Sequence, residues 1–160
     1  MVGAVTTIGV ISDTHGLVRP EARAALAGVD RIIHAGDLDE QEVLRLLASM
    51  APITAVRGNC DRGAWARALP ECATVTVEGL GIHVVHDIYQ VGIDAKSEGI
   101  AAVVCGHSHR PRNEVRDGVL YFNPGSAGPR RFHCPVSLGK LHVEAGEIRG
   151  EIITLEAASR

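Results

Sequence analysis

Val5-Thr-Thr-Ile8-Gly-Val-Ile-Ser12-Asp13-Thr-His15-Gly16 opens the chain with an apolar, β-branched run that stops abruptly at a carboxylate and an imidazole. Residues 5–12 therefore read as a buried strand feeding a polar turn. The pattern recurs downstream. Residues 30–35 form a second apolar run ending at Gly36-Asp37, and residues 53–57 a third ending at Gly58-Asn59-Cys60-Asp61. Between them, Pro20–Leu26 reads as a short helix with proline in its first turn. Residues 40–50 carry Val43, Leu44, Leu46 and Leu47 at helical spacing and predict an amphipathic helix. A strand–helix–strand–helix–strand run of this kind predicts right-handed parallel crossovers.

Beyond residue 70 the punctuation changes. Strands are predicted at 73–78, 82–86, 101–105, 113–116, 119–122, 136–144 and 148–155, with a weak helix at 95–99. Turns at Gly79-Leu80-Gly81, Asp117-Gly118 and Ala145-Gly146 join several of them. The expected fold is α/β (α+β): two mixed β-sheets packed face to face with helices on the outside, a four-layer αββα sandwich. No linker, repeat or low-complexity segment divides it, so residues 1–160 are expected to form a single domain.

Composition narrows the function. A chain of 160 residues buries enough surface to fold without a metal or disulfide, so a metal site in it is expected to serve function. Its apolar runs fall well below the ~20 residues of a membrane span, and no basic leader precedes a long apolar core at the N-terminus. A cytoplasmic protein with no membrane partner is the default expectation. Cys60, Cys72, Cys105 and Cys134 contain no closely spaced pair and are expected to be free thiols. The net charge of −3 is spread along the chain and aromatic residues make up 3%, which disfavours long nucleic acid as a partner.

The polar residues fall where open sheets bind ligands, at the carboxyl ends of strands. Asp13 and His15 follow the first strand, Asp37 the second and Asn59 the third; His86 ends the strand at 82–86, and His107 with His109 follow 101–105. One such strand end is unremarkable. Five in one chain are hard to attribute to packing. Asp-x-His and His-x-His spacing lets both side chains of a pair face one way, and glycines 16, 36, 58 and 106 let the backbone bend beside them. Carboxylate, carboxamide and imidazole together suit Mn, Fe, Zn or Ni better than an all-oxygen Ca or Mg cage.

Asp13-Thr-His15, Gly36-Asp37, Gly58-Asn59-Cys60-Asp61, His86 and Gly106-His107-Ser108-His109 resemble, in order, the five motifs of the calcineurin-like metallophosphoesterase superfamily. The short chain and Asn123-Pro124-Gly125-Ser126 resemble its small stand-alone prokaryotic phosphodiesterase branch. The resemblance implies a phosphodiesterase holding two divalent metal ions per chain, with manganese the first choice and Ni, Fe or Zn as alternatives. Asp13, His15, Asp37 and His109 would hold one ion. Asn59, His86 and His107 would hold the other, with Asp37 shared. A metal-bridging hydroxide would attack phosphorus, so Asp37, Asn59 and His86 would sit at the reacting centre. The partner implied is a small phosphate ester, and relatives of this kind are often homo-oligomers.

Two positions depart from the family pattern. Asp87 follows His86 where most relatives have glycine, and Cys60 stands where many larger relatives have a histidine that assists the leaving group. A thiol is a poorer proton donor to an alkoxide, so good leaving groups are expected. Metal-dependent phosphomonoesterase or nucleotide pyrophosphohydrolase activity on the same site is the alternative. A non-catalytic scaffold of this fold is a further one, disfavoured because all seven ligand positions are filled.

Around this core, Cys60, Asp61, His34, Arg130 and Arg131 are candidates for substrate contact or for orienting the ligands. Asp61 is expected to anchor its turn. His34 reads equally as a ligand-orienting or a satisfied structural histidine, and Arg130 and Arg131 as phosphate clamps ahead of Arg57 and Arg62. His133 is expected to be solvent-exposed, His83 to be structural, and His142 to sit on the final hairpin face without a role at the site. Among Trp65, Tyr89, Tyr121, Phe122 and Phe132, the sequence does not single out a ring for stacking on a nucleobase.

Overall fold

The computed structural model describes residues 4–131 and 133–155; Phe132 lies outside the described residues. The elements run β1 (Thr6–Ile11), α1 (Pro20–Leu26), β2 (Arg31–His34), α2 (Gln41–Ala48), β3 (Ile53–Ala55), α3 (Ala64–Arg67), β4 (Cys72–Val77), β5 (Leu80–Val85), a 3-10 turn (Ile88–Gln90), β6 (Ile100–Val104), β7 (Arg112–Arg116), β8 (Val119–Asn123), β9 (Ser137–Glu144) and β10 (Glu147–Thr154). They build two mixed five-stranded sheets, ordered β10-β9-β1-β2-β3 and β4-β5-β6-β8-β7.

The two faces of β1 and β2 explain the layering. Ile8, Val10 and Ile33 point between the sheets, where they meet Ile82, Val84, Val104, Leu120 and Phe122 of the second sheet. Ile11 and Ile32 point the other way, toward Leu26 of α1 and Val43 and Leu47 of α2. Strand alternation thus feeds two cores from one sheet. Phe122 fills the space left by two glycines across the sandwich: a Cβ at Gly139 or Gly150 would collide with its ring.

The crossovers read from the sequence are present, since β1–β2 and β2–β3 pair in parallel. The outer face of the second sheet is covered more thinly. Residues 95–99 are hydrogen-bonded turns rather than a helix, closed by Glu98 N–H to Asp94 O and Ile100 N–H to Ala95 O. Ala95, Ile88 and Val91 nevertheless cover Val103 and Val119 from that side. The short helix α3 has no apolar repeat of its own and was not expected from the sequence. All four cysteines are free thiols, and no described helix is long and apolar enough to cross a membrane.

What this fold does for function is bring two sets of parallel strand ends together. β1, β2 and β3 run parallel in one sheet, and β5, β6 and β8 in the other. Their carboxyl ends share one end of the sandwich. The His107 N–H donates to Asp13 Oδ2 at 3.1 Å, and the His86 ring lies 2.7 Å from Ala35 O.

Candidate metal centre

Five of the seven ligand-type residues, and Asp39 beside them, are aimed by a bent backbone. Asp13, His15, Asp37, Asp39, His107 and His109 all have positive φ, between 46° and 70°. Left-handed backbone at a residue other than glycine costs on the order of 1–2 kcal/mol, so a cluster of it at one place marks a functional turn. The turns after β1 and β2 run side by side, with Asp13 N–H to Gly36 O at 3.0 Å and His15 N–H to Asp37 O at 3.0 Å.

Asp13 is fully buried. Its Oδ2 accepts the Ser12 hydroxyl at 2.6 Å and the His107 N–H at 3.1 Å. Its Oδ1 has no hydrogen-bond partner and faces His109 Nε2 at 3.4 Å, His86 Nε2 at 3.9 Å and His15 Nε2 at 4.0 Å. His15 Nε2 is likewise buried without a hydrogen bond, while Nδ1 is engaged by Asp39 Oδ2 at 3.0 Å. Across the centre, Asp37 Oδ2 lies 3.8 Å from His15 Nε2 and 3.2 Å from His86 Nε2. His86 donates Nδ1–H to Ala35 O, which turns Nε2 toward Asn59 Oδ1 at 3.0 Å and His107 Nδ1 at 3.3 Å.

Asp13 Oδ1 and His15 Nε2, buried and without hydrogen bonds, face the same space as further carboxylate, imidazole and carboxamide atoms. Buried polar atoms without partners carry a desolvation cost that a cation removes. The residues present therefore fit a metal. Asp13, His15 and His109 offer one cluster of ligand atoms, and Asp13, Asp37 and His86 another, each within 4.8 Å. His15, Asp37 and Cys60 form a third cluster of such atoms, and a fourth, the all-carboxylate Asp37, Asp39 and Asp61, is committed otherwise. Asp61 accepts backbone N–H from Asp37 and Gly58 at Oδ2, at 3.0 and 2.8 Å, and from Asp39 at Oδ1, at 2.8 Å.

Charge follows this wiring. Burial works to raise the Asp37 carboxyl, but the hydrogen bond and charge of His86 and the Cys60 N–H hold it at about 2. Burial works to lower His86, yet its hydrogen bond to Asp37 and the charge of Asp13 keep it above the usual imidazole range. Burial and then the Asp37 charge push the Cys60 thiol up, so it stays protonated at neutral pH.

His34 resolves into a clamp. Its Nδ1 accepts the Gly36 N–H at 3.0 Å, so its Nε2–H donates to Thr14 Oγ1, also at 3.0 Å. One neutral ring thus ties the Asp13-Thr-His15 turn to the Gly36-Asp37 turn. Burial drives its pKa down to about 3, despite the charge of Asp13. Because the unfolded chain takes up this proton near pH 6.5 and the folded chain near 3, stability is full above 6.5 and is lost as pH falls toward 3. The contribution is roughly 1.4 kcal/mol per pH unit below 6.5. Denaturant unfolding of chelated protein at pH 7, 6 and 5 should show a steeper decline for the parent chain than for His34→Gln. Equal slopes would contradict the clamp.

Asp39 escaped the sequence reading, although Gly36-Asp37-Leu38-Asp39 repeats the two-residue spacing of the other motifs. Its carboxylate fixes the tautomer and rotation of His15, and such a partner typically contributes 10–100-fold in metal affinity. Asp39→Ala is expected to weaken binding at the His15 cluster by roughly that factor, read by metal titration with little change in melting temperature.

Asn123 and Ser126 hold the turns from the second sheet. Asn123 Nδ2 donates to Gly106 O at 3.0 Å, and the Ser126 hydroxyl donates to Asp13 O at 3.0 Å. Gly58 is required by close approach, because a Cβ there would collide with the Asp37 carboxylate. Asp87 has φ −109°, an extended conformation open to any residue, so glycine is not needed after His86. Arg57 lines the main cleft and pairs with Glu71 at 2.9 Å. Arg62, Arg130 and Arg131 are exposed and line neither of the two larger clefts. His133 is exposed. His83 is buried against Thr74, and His142 sits between Thr7 and Glu151.

Comparison with known proteins agrees with this geometry. Residues 7–146 match the calcineurin-like phosphoesterase superfamily domain. The chain belongs to that superfamily. This calcineurin-like phosphoesterase is 32% identical to a probable metallophosphoesterase of Methanocaldococcus jannaschii, over 98% of its own length and 85% of the relative's. A solved archaeal phosphodiesterase is 26% identical, with a TM-score of 0.75 over 92% of this chain and 99% of that one. Vacuolar protein sorting 29 of Cryptosporidium parvum shares the fold, with a TM-score of 0.76 at 18% identity over 93% of this chain and 97% of that one. The chain is thus a phosphoesterase-family hydrolase with a candidate metal-binding cluster.

Proposed function

We propose that this phosphoesterase is a two-metal phosphodiesterase acting on a small phosphate ester. The observation that carries the reading is the position of Asp37 Oδ2, within 4 Å of both His15 Nε2 and His86 Nε2. Asp13, His15, Asp37 and His109 would hold the first ion, and Asn59, His86, His107 and Asp37 the second. When bound, two divalent ions would supply Lewis acidity toward the phosphoryl oxygens and hydroxide from water at neutral pH. The mixed nitrogen and oxygen donors suit Mn, Fe, Zn or Ni, and manganese is the first choice to test.

The chain's own residues set the rest. Two carboxylates against two dications leave net positive charge, which attracts an anionic phosphate. Cys60 offers only a thiol, a poorer proton donor to a departing alkoxide than an imidazolium, so the reaction depends on leaving groups that depart without strong protonation. Asp87 favours a diester. Its Oδ2 lies 4.0 Å from His107 Nε2, where a fixed negative charge opposes a dianionic monoester more than a monoanionic diester. Asp87→Asn is expected to shift the monoester-to-diester ratio of kcat/KM toward monoesters by on the order of tenfold, about 1.4 kcal/mol.

The test is a panel. Chelated protein restored with Mn, Ni, Zn or Mg is assayed on aryl diesters, aryl monoesters and cyclic nucleotides. Diesterase activity that vanishes on chelation and returns with metal supports the proposal. Activity that survives complete metal removal sinks it.

A further inference from the structure

Two clefts flank the centre and share a ridge formed by Asp87 and His107. The larger, about 550 Å³, is lined by Asn59, His86, Arg57 and Glu71 and is mostly polar. The smaller, about 320 Å³, has a mostly apolar lining that includes Ile88, Tyr89, Cys105 and Pro111, with Arg110 on its wall. Tyr89 is 95% exposed, far more than any other large apolar side chain among the described residues. The other rings among the described residues are committed. Trp65 packs against the helical core, Phe122 lies between the sheets, and Tyr121 sits beneath the Arg112 guanidinium at 5.0 Å.

The backbone that carries Tyr89 is also tied to the metal end of the molecule. Asp87 Oδ1 accepts the Tyr89 N–H at 3.0 Å and the Asp87 carbonyl accepts the Gln90 N–H at 2.9 Å, which fixes the 3-10 turn carrying the ring. The other oxygen of that carboxylate faces His107. An aromatic ring, apolar floor and nearby guanidinium suit a planar ring attached to an anionic phosphate.

We infer that the smaller cleft is a subsite for a planar aromatic arm of the phosphodiester, an aryl or nucleobase-bearing group, with Tyr89 as its stacking residue. A diester reaching across the Asp87–His107 ridge places one arm in each cleft, whereas a monoester has only one arm to place. The inference rests on the diesterase reading, and it names the substrate class for that site.

Binding tests it separately from hydrolysis. Zinc-loaded protein is titrated with two monoanionic diester analogues whose arms are both held by P–C bonds, so that no ester bond can be cleaved, benzyl(methyl)phosphinate and dimethylphosphinate, with amide shifts followed by NMR. The benzyl analogue should bind roughly tenfold more tightly than the dimethyl analogue, with shifts at Ile88, Tyr89 and Arg110. Tyr89→Ala should remove roughly three- to tenfold of benzyl-analogue affinity and leave dimethyl-analogue affinity unchanged, while Tyr89→Phe retains it. A benzyl analogue that binds no tighter than the dimethyl one, equal losses for both in Tyr89→Ala, or shifts at Arg57 and Val85 instead would each overturn the inference. Failure of the diesterase reading appears elsewhere, as absent hydrolysis of every diester in the metal panel.

Discussion

Asp37→Asn is expected to lose about 10²–10⁴-fold in kcat/KM and to hold fewer than two metal ions per chain. The size follows from the 3–5 kcal/mol typical of removing one partner from a buried charge cluster. The substitution is nearly isosteric, and its amide oxygen still accepts the Cys60 N–H that Asp37 Oδ1 accepts at 2.8 Å. The fold should therefore survive, which separates this loss from unfolding. What disappears is the negative charge on Oδ2, the atom facing His15 on one side and His86 on the other. Both sites weaken together if that atom is shared. His107→Ala, by contrast, removes a ligand from one side and should mainly weaken the second site. Metal titration of the two variants distinguishes these patterns. Loss of a single ion from Asp37→Asn, with the other bound at parental affinity, would contradict sharing.

Asp61→Asn carries the second large effect, at a residue that is not itself among the proposed metal ligands. Its carboxylate receives three backbone N–H groups, from Asp37, Gly58 and Asp39. Hydrogen bonds to a charged acceptor contribute roughly 1.5–3 kcal/mol each, and an unsatisfied buried donor costs a similar amount. An asparagine has one acceptor oxygen and turns an N–H2 toward the remaining donor. A loss of about 3 kcal/mol in folding stability is expected. Metal affinity should fall roughly 10–100-fold with it, because the turns holding Asp37 and Asp39 loosen and His15 is no longer aimed. Denaturant unfolding and metal titration check the two parts. Unchanged metal affinity in a folded Asp61→Asn protein would show that the turn is not held by this residue.

The ligand turns were the most legible feature of the sequence, for a local reason. Each motif puts Asp, Asn or His within a few residues of the end of an apolar run. The parallel crossovers were legible too, because Val43 and Leu47 declare a helix face and Ile32 and Ile33 a buried strand. The sheet order was not. β1 lies at the centre of its sheet only because Ile8 pairs with Leu141 of β9, a contact that no local period encodes. Residues 95–99 misled because Ala95 is apolar and the neighbours are good helix formers, yet the segment closes at Gly99 with φ 71° before a second turn can form.

Around the site, the limit of the sequence was side-chain direction. Arg130 and Arg131 stand close in the chain to Asn123-Pro124-Gly125-Ser126, but neither lines a cleft, whereas Arg57 does. Asp39 was invisible because its role exists only when the turns after β1 and β2 lie side by side. Asp87 looked like a conflict with glycine and proves to be ordinary extended backbone that caps the turn bearing Tyr89.

The central claim is that one carboxylate serves two metal ions, and counting ions tests it most directly. Chelated protein should be titrated with Mn²⁺ under calorimetry, with bound metal measured after desalting. The account predicts two ions per chain for the parent protein and a joint loss in Asp37→Asn. A parent chain that saturates at one ion would contradict it.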